Sequence, residues 1–364
     1  MQFLFRKPVA WLVNKYSSAP RITAVHRSLT RLLKNIEKEK IKKGPILHFA
    51  ANDARIVIMS DLHKGACDDA DDFMPARNNY LEAACYYNER QFTCVALGDV
   101  EELWENDIGA VFKNNRENFF AEKEFIKDNR YYKVFGNHDM YWANTLLPNT
   151  KWLKKMYGTE IPVYEGLIIE LEGTGFPLRL FLTHGHQGDA QSDGNRFSKW
   201  FVANVWSRVQ AYLDVKINSP SDDFLLRNKH NIMMYEWSLK HPSTILITGH
   251  THKPVFASFN HLEKLKQELA NAVQKNDMQK AAEVETEISR RQQEYSTLSV
   301  REMKKPSYFN SGCCCFNDGD MTMLEIEDEQ IRLVKWYYEN GVGKRKELQS
   351  APLTEIAGQI QGRD

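Results

Sequence analysis

What this sequence most plainly lacks is paired cysteine. Six cysteines occur in 364 residues, three scattered (Cys67, Cys85, Cys94) and three consecutive (Cys313, Cys314, Cys315). No C-x-x-C spacing is present, which excludes a disulfide scaffold or a thiolate zinc knuckle and leaves reduced thiols as the expectation. Long apolar runs are also missing: none approaches the roughly 18 residues of a membrane span. The opening stretch, "MQFLFRKPVAWLVNKY", is interrupted by Arg6, Lys7 and Pro8 and offers no small-residue cleavage site, so no signal peptide is read from it. Net charge is absent as well, with 48 basic and 48 acidic residues, which removes any global pull toward nucleic acid or an anionic surface. These absences fit a cytoplasmic protein with an ordinary core.

Charge is unevenly placed, however. Residues 1–44 hold eleven Lys or Arg and two acidic residues. Within them Ile22, Val25, Leu29, Leu32, Leu33 and Ile36 recur at helical spacing. Such a stripe packs on a domain; together with Phe3, Phe5 and Trp11 it would also suit peripheral docking at a membrane surface. Residues 1–50 are therefore read as a basic helical extension.

From Arg55 the pattern changes to short β-rich runs: "RIVIMS", "FTCVALG", "YYKVFG", "LRLFLTHG" and "TILITGH". Helix-compatible stretches lie near 77–90 and 116–128. Continuous apolar strands separated by helices imply a layered α/β fold, in which function sits at the carboxyl ends of strands. Residues 190–242 form an aromatic, helix-rich segment and are expected as a cap. Residues 262–298 repeat at heptad-like spacing on either side of "KNDM" and are expected as a helical hairpin insertion. Strands resume at "SYFNSG", "MTMLEIE" and "IRLVKWYY". The main domain is read as 51–342, and 343–364 as a tail.

Each early strand ends in metal-capable side chains. In order these are Asp61 and His63, then Asp99, then Asn137 and His138, then His184 and His186, then His250 and His252. Imidazole and carboxylate oxygen suit zinc, iron or manganese. The donors are too numerous for one ion, which argues for two. The spacings in Asp61-Leu62-His63 and His250-Thr251-His252 would set both flanking side chains on one side of an extended segment.

The ordered series "DLH", "GD", "GNHD", "THGH" and "GHTH" resembles the calcineurin-like metallophosphoesterases, over roughly residues 54–336 apart from the two insertions. That resemblance implies a two-sheet α/β sandwich with two divalent transition metal ions. Asp61, His63, Asp99 and His252 would hold one ion and Asp99, Asn137, His184 and His250 the other, with Asp99 shared. Hydrolysis of a phosphodiester, pyrophosphate or phosphomonoester by metal-activated hydroxide would follow. His138 would face substrate as acid or charge stabiliser, with Asp139 orienting it or capping the next helix. His186 lies outside the family's ligand count and is expected either behind the ligands or at the substrate, and the cysteine triplet is expected to pack near the site.

The family's protein phosphatases carry G-D-x-x-D-R-G. Here Glu102 and Leu103 stand in place of that Asp and Arg, which argues against phosphoprotein. The wording "SDLHKG" and "LGDVEELW" is closer to UDP-2,3-diacylglucosamine pyrophosphatases, a partial likeness because those often carry Arg where His138 stands. The expected substrate is thus a small-molecule or lipid-linked phosphoester, with Arg196 and Lys199 as phosphate contacts. A nuclease reading would want a basic groove with stacking aromatics. A scaffold reading would want lost motif residues, notably the histidine after Asn, and this chain keeps them. The oligomeric state is left open.

Overall fold

The computed structural model describes residues 21–40, 43–68, 71–143, 149–188, 224–257, 305–361 and most of 269–288. Arg196, Lys199, the aromatic part of the expected cap and the first twenty residues lie outside the described residues. Two sheets face each other. The first runs β1 (Ile46–Ala50), β6 (Gly166–Glu172), β7 (Leu178–Thr183), β8 (Thr244–Thr248), β9 (Tyr308–Asn310). The second runs β12 (Val342–Pro352), β11 (Gln330–Glu339), β10 (Met321–Glu327), β2 (Ile56–Met59), β3 (Thr93–Leu97), β4 (Tyr131–Val134), β5 (Val163–Tyr164). Strands β2 to β5 are parallel, as are β7 to β9, so the five strand ends that carry candidate ligands share one edge of the sandwich.

Strand alternation divides the apolar residues between layers. Ile56, Ile58, Val95, Leu97 and Val134 meet Leu167, Ile169, Leu180, Leu182, Ile245 and Ile247 between the sheets. Val57, Met59 and Cys94 face outward against Tyr80, Ala83, Ala84 and Tyr87 of helix α2 (Arg77–Glu89). On the other side Ile168, Phe181, Leu246 and Tyr308 are covered by helix α1 (Ile22–Glu37) and the helix Phe224–Ser238. The chain is thus the expected α/β two-sheet sandwich. Among the described residues no helix is long and apolar enough to cross a membrane.

Three boundary expectations change. Residues 46–50 are not extension but the edge strand β1, paired with β6. Residues 343–361 are not a tail: β12 pairs with β11, and the helix Leu353–Gln361 buries Leu353, Ile356, Ala357 and Ile360. The second half of the expected cap, Phe224–Ser238, lies on the outer sheet face through Met233, Met234 and Trp237. The stripe Val25, Leu29, Leu32, Leu33 and Ile36 is buried in that same layer, so it is spent on the domain and not free for a lipid surface. In the 262–298 insertion, Leu269 packs on Val284 and Ile288, while Met278 of the expected seam is exposed.

Behind the β2–β4 strand ends lies a buried ionic layer. Lys64 pairs with Glu122, which also accepts from Tyr80 and Tyr157 at 2.7 and 2.8 Å. Lys133 pairs with Glu101 at 2.8 Å, and Glu101 accepts from the Trp142 indole at 2.9 Å. Burial opposes the Glu122 charge, yet Lys64 and Lys133 hold its carboxyl below the ordinary value. Glu122→Leu would strand the Lys64 ammonium in a dry interior. Loss of about 3–5 kcal/mol of unfolding free energy is expected in chemical denaturation; a change below about 1 kcal/mol would show that the layer is not tightly coupled.

Candidate metal centre

The candidate ligands sit on the turns that leave the strands, and most adopt a strained backbone. Asp61, His63, Asp99, His250 and His252 have φ of 53°, 51°, 50°, 69° and 54°. Left-handed backbone costs a non-glycine residue roughly 1–2 kcal/mol, and such strain concentrates where a site is over-determined by its surroundings. The expected extended geometry of D-x-H and H-x-H is therefore replaced by alternating left-handed turns. Gly136 is required for space and not for φ: a Cβ there would stand 2.1 Å from Asp99 Oδ1. Gly98 is needed on both counts, with φ +89° and the His184 ring 2.5 Å from any Cβ.

The side chains converge as acceptors facing acceptors. The His184 Nδ1–H donates to the Leu97 carbonyl at 3.0 Å, which leaves a bare Nε2 in the neutral ring. That Nε2 faces Asp99 Oδ2 at 3.0 Å and Asn137 Oδ1 at 3.2 Å. Asp99, His184 and His250 offer donor atoms within 4.8 Å of one another, and the buried His250 Nε2 has no hydrogen-bond partner among the described residues. On the other side, His63 Nε2 faces His252 Nε2 at 3.2 Å, and His252 Nε2 lies 3.3 Å from Asp61 Oδ1. Asp99 Oδ2 stands between the groups, 3.9 Å from His63 Nε2. Lone pairs pointed at each other need a cation between them, so these residues fit divalent metal. Burial alone would depress the His184 imidazole, but the Asp99 and Asp61 carboxylates carry it up to about 9, a measure of how strongly this position attracts positive charge.

Orientation of the ligands comes from neighbouring groups. The His250 amide donates to both Asp61 oxygens, at 3.2 and 2.9 Å, and the Ser60 hydroxyl donates to Oδ2. The His138 amide donates to Asp99 Oδ1 at 2.7 Å, leaving Oδ2 for the centre.

Glu102 was noticed in the sequence only as a departure from the phosphatase motif. Its Oε2 accepts from His63 Nδ1 at 2.9 Å and from His138 Nδ1 at 2.6 Å, while Oε1 accepts from the Trp104 amide at 3.0 Å. Asp139, expected to orient His138, does not. It is fully buried and accepts from the amides of Val100 at 3.0 Å and Gly136 at 2.6 Å, tying two strand-end loops together. The reason is direction: residue 139 turns back under the loop while His138 projects toward Glu102. Burial raises the Asp139 carboxyl to about 6. Burial works against a charged His138, but Glu102 and Asp99 raise it to about 9. The Trp104 ring stacks on His138, with centroids 4.1 Å apart. His186 is buried beside His184 and Phe135, a position that serves packing against a ligand and not a substrate surface.

A family model described as calcineurin-like phosphoesterase matches residues 54–254. Among solved structures, this chain is similar to Vacuolar Protein Sorting 29 from Cryptosporidium parvum, at 12% identity and a TM-score of 0.31, covering 82% of this chain and 98% of that one. It is also similar to a single mutant of Vps29 from Entamoeba histolytica, at 14% identity and a TM-score of 0.31, covering 81% and 98%. A comparison with curated proteins found no match.

If each donor group holds an ion, Asp99→Ala is expected to lose both, because its Oδ2 faces both groups. Elemental analysis after dialysis checks this; full metal retention would remove the shared-ligand assignment.

Proposed function

The chain belongs to the calcineurin-like phosphoesterase family, and from that premise we propose that it hydrolyses a phosphoester with two divalent transition metal ions. Metal-dependent phosphoester hydrolysis is the chemistry the family supports. The observation that carries the two-ion form is the pair of facing acceptor groups on either side of Asp99. Asp61, His63 and His252 would hold one ion, and Asn137, His184 and His250 the other, with Asp99 common to both. Manganese, zinc and iron all suit the oxygen and imidazole donors. Such ions, when bound, acidify water and offset phosphoryl charge.

The remaining steps belong to the chain. His138 stands at the rim of the centre, its side chain partly exposed while the other histidine on Glu102, His63, is buried. Glu102 fixes the His138 ring through Nδ1 and stabilises its cation, which leaves Nε2–H for the leaving oxygen or a phosphoryl oxygen. Glu102 remains anionic: burial would raise its carboxyl, but His138 and His63 hold it far below the ordinary value. Trp104, stacked on His138, limits the directions in which the ring can swing. The substrate class proposed is a small-molecule or lipid-linked phosphoester, because Glu102 and Leu103 replace the acid and arginine of the protein phosphatase motif. Action of this kind at a membrane surface would have to draw on segments other than the buried 22–36 stripe. A panel of phosphomonoesters, phosphodiesters and nucleotide-sugar pyrophosphates, assayed with manganese or zinc, tests the reading; no turnover of any member by metal-loaded protein would overturn it.

His138→Ala should keep its metals and lose on the order of 10²–10⁴ in kcat. Activity near that of the parent would show that His138 has no part in the chemistry. Glu102→Gln should shift the alkaline limb of the rate profile to lower pH. The carboxylate raises the His138 pKa, so its loss lets the ring deprotonate earlier. An unmoved limb would detach that limb from His138.

A further inference from the structure

The cysteine triplet, unused by the chemistry above, lies against the metal centre. Its backbone is pinned there: the Cys314 amide donates to the Asp61 carbonyl at 3.1 Å, and Ser311 Oγ lies 2.8 Å from Ser60 Oγ. Alternation along the segment then separates the three side chains. Cys314 turns away into the core with Met59 and Met321, its thiol 3.7 Å from the Thr322 carbonyl. Cys313 and Cys315 turn the other way. Cys313 lies close enough to His252 for the two to interact electrostatically. The Cys315 sulfur and one ring nitrogen each of His63 and His252 lie within 4.8 Å of one another. All three cysteines are buried and free of disulfides.

We propose that Cys315 supplies a thiolate to the ion held by Asp61, His63 and His252. The proposal rests on the two-ion reading above and adds a donor to it. The His63 and His252 nitrogens, 3.2 Å apart, already have the separation of two ligands on one ion. A sulfur on the same side gives that ion an N, N, O, S donor set in addition to Asp99. Binding releases the Cys315 thiol proton to solvent. Softness then separates the two ions. The thiolate site favours zinc, cobalt or ferrous iron over manganese. The Asn137, His184, His250 site, with oxygen and imidazole alone, does not discriminate in that way. The centre is therefore chemically lopsided, with one ion held more selectively than the other.

The test is zinc X-ray absorption on the full-length protein loaded with zinc, with metal content measured on the same sample. A sulfur scatterer at about 2.3 Å alongside nitrogen and oxygen at about 2.0–2.1 Å is expected. Two bound ions with no sulfur shell would overturn the cysteine assignment and leave the metal centre standing; failure to bind two ions would count against the underlying reading instead. The residue is identified with cobalt(II) in place of zinc. Parent protein should show a thiolate-to-cobalt charge-transfer absorption that is lost in Cys315→Ser and kept in Cys314→Ser and Cys313→Ser. Loss in Cys313→Ser with retention in Cys315→Ser would overturn the choice of residue. The absorption measurement on parent protein needs no variant, so poor folding of Cys315→Ser would not shield the proposal.

Discussion

Mutual repulsion of acceptor groups is the constraint around which this molecule is organised. Carboxylates of Asp61 and Asp99, the Asn137 oxygen and the bare nitrogens of His63 and His184 crowd one edge of two sheets. Left to themselves these groups would turn toward water. They are prevented by hydrogen bonds on their far sides: the Leu97 carbonyl and Glu102 accept from imidazole N–H groups and so fix the tautomers, and the amides of His138 and His250 donate to the carboxylates. The left-handed turns at Asp61, His63, Asp99, His250 and His252 add backbone strain to the same region. Cations between the acceptors would relieve that repulsion, and the sandwich beneath must be stiff enough to hold the groups together.

Stiffness comes from directly behind the ligands. Lys64 follows His63 in sequence and Glu101 precedes Glu102, so the buried pairs Lys64–Glu122 and Lys133–Glu101 brace the very loops that carry the metal-facing side chains. An apolar layer of equal volume could pack as tightly. The ion pairs instead fix direction, because each partner has one place where its charge is satisfied. Ligand geometry and core polarity are thus parts of one arrangement.

Much of this was legible in the sequence, and the exceptions have physical causes. The strands and the seven candidate ligands could be read because buried parallel strands are continuous apolar runs and their ends recur in order. Glu102 was not legible as the orienting group. Its partners, His63 and His138, are distant in sequence, and its position looked like a missing motif residue. Asp139 was misread because adjacency to His138 says nothing about which way a turn sends the next side chain. Edge strand β12 was missed because "VGKRKELQS" is mostly exposed and charged, as a solvent-facing edge is expected to be. The helix after it does carry a readable stripe at Leu353, Ile356, Ala357 and Ile360. β1 was absorbed into the basic extension because five residues give too short a pattern.

The order of strands in the larger sheet has a consequence for biosynthesis. β2, which leads into Asp61 and His63, is flanked by β3 on one side and by β10 on the other. β3 emerges from the ribosome soon after β2, but β10 is made only near the far end of the chain. Until then a short, wholly apolar strand has an open hydrogen-bonding edge on the nascent polypeptide. Vectorial synthesis therefore leaves the strand that anchors the metal loops unguarded longest. Chaperone demand should be greatest during that interval, and chains truncated before β10 should be prone to aggregate.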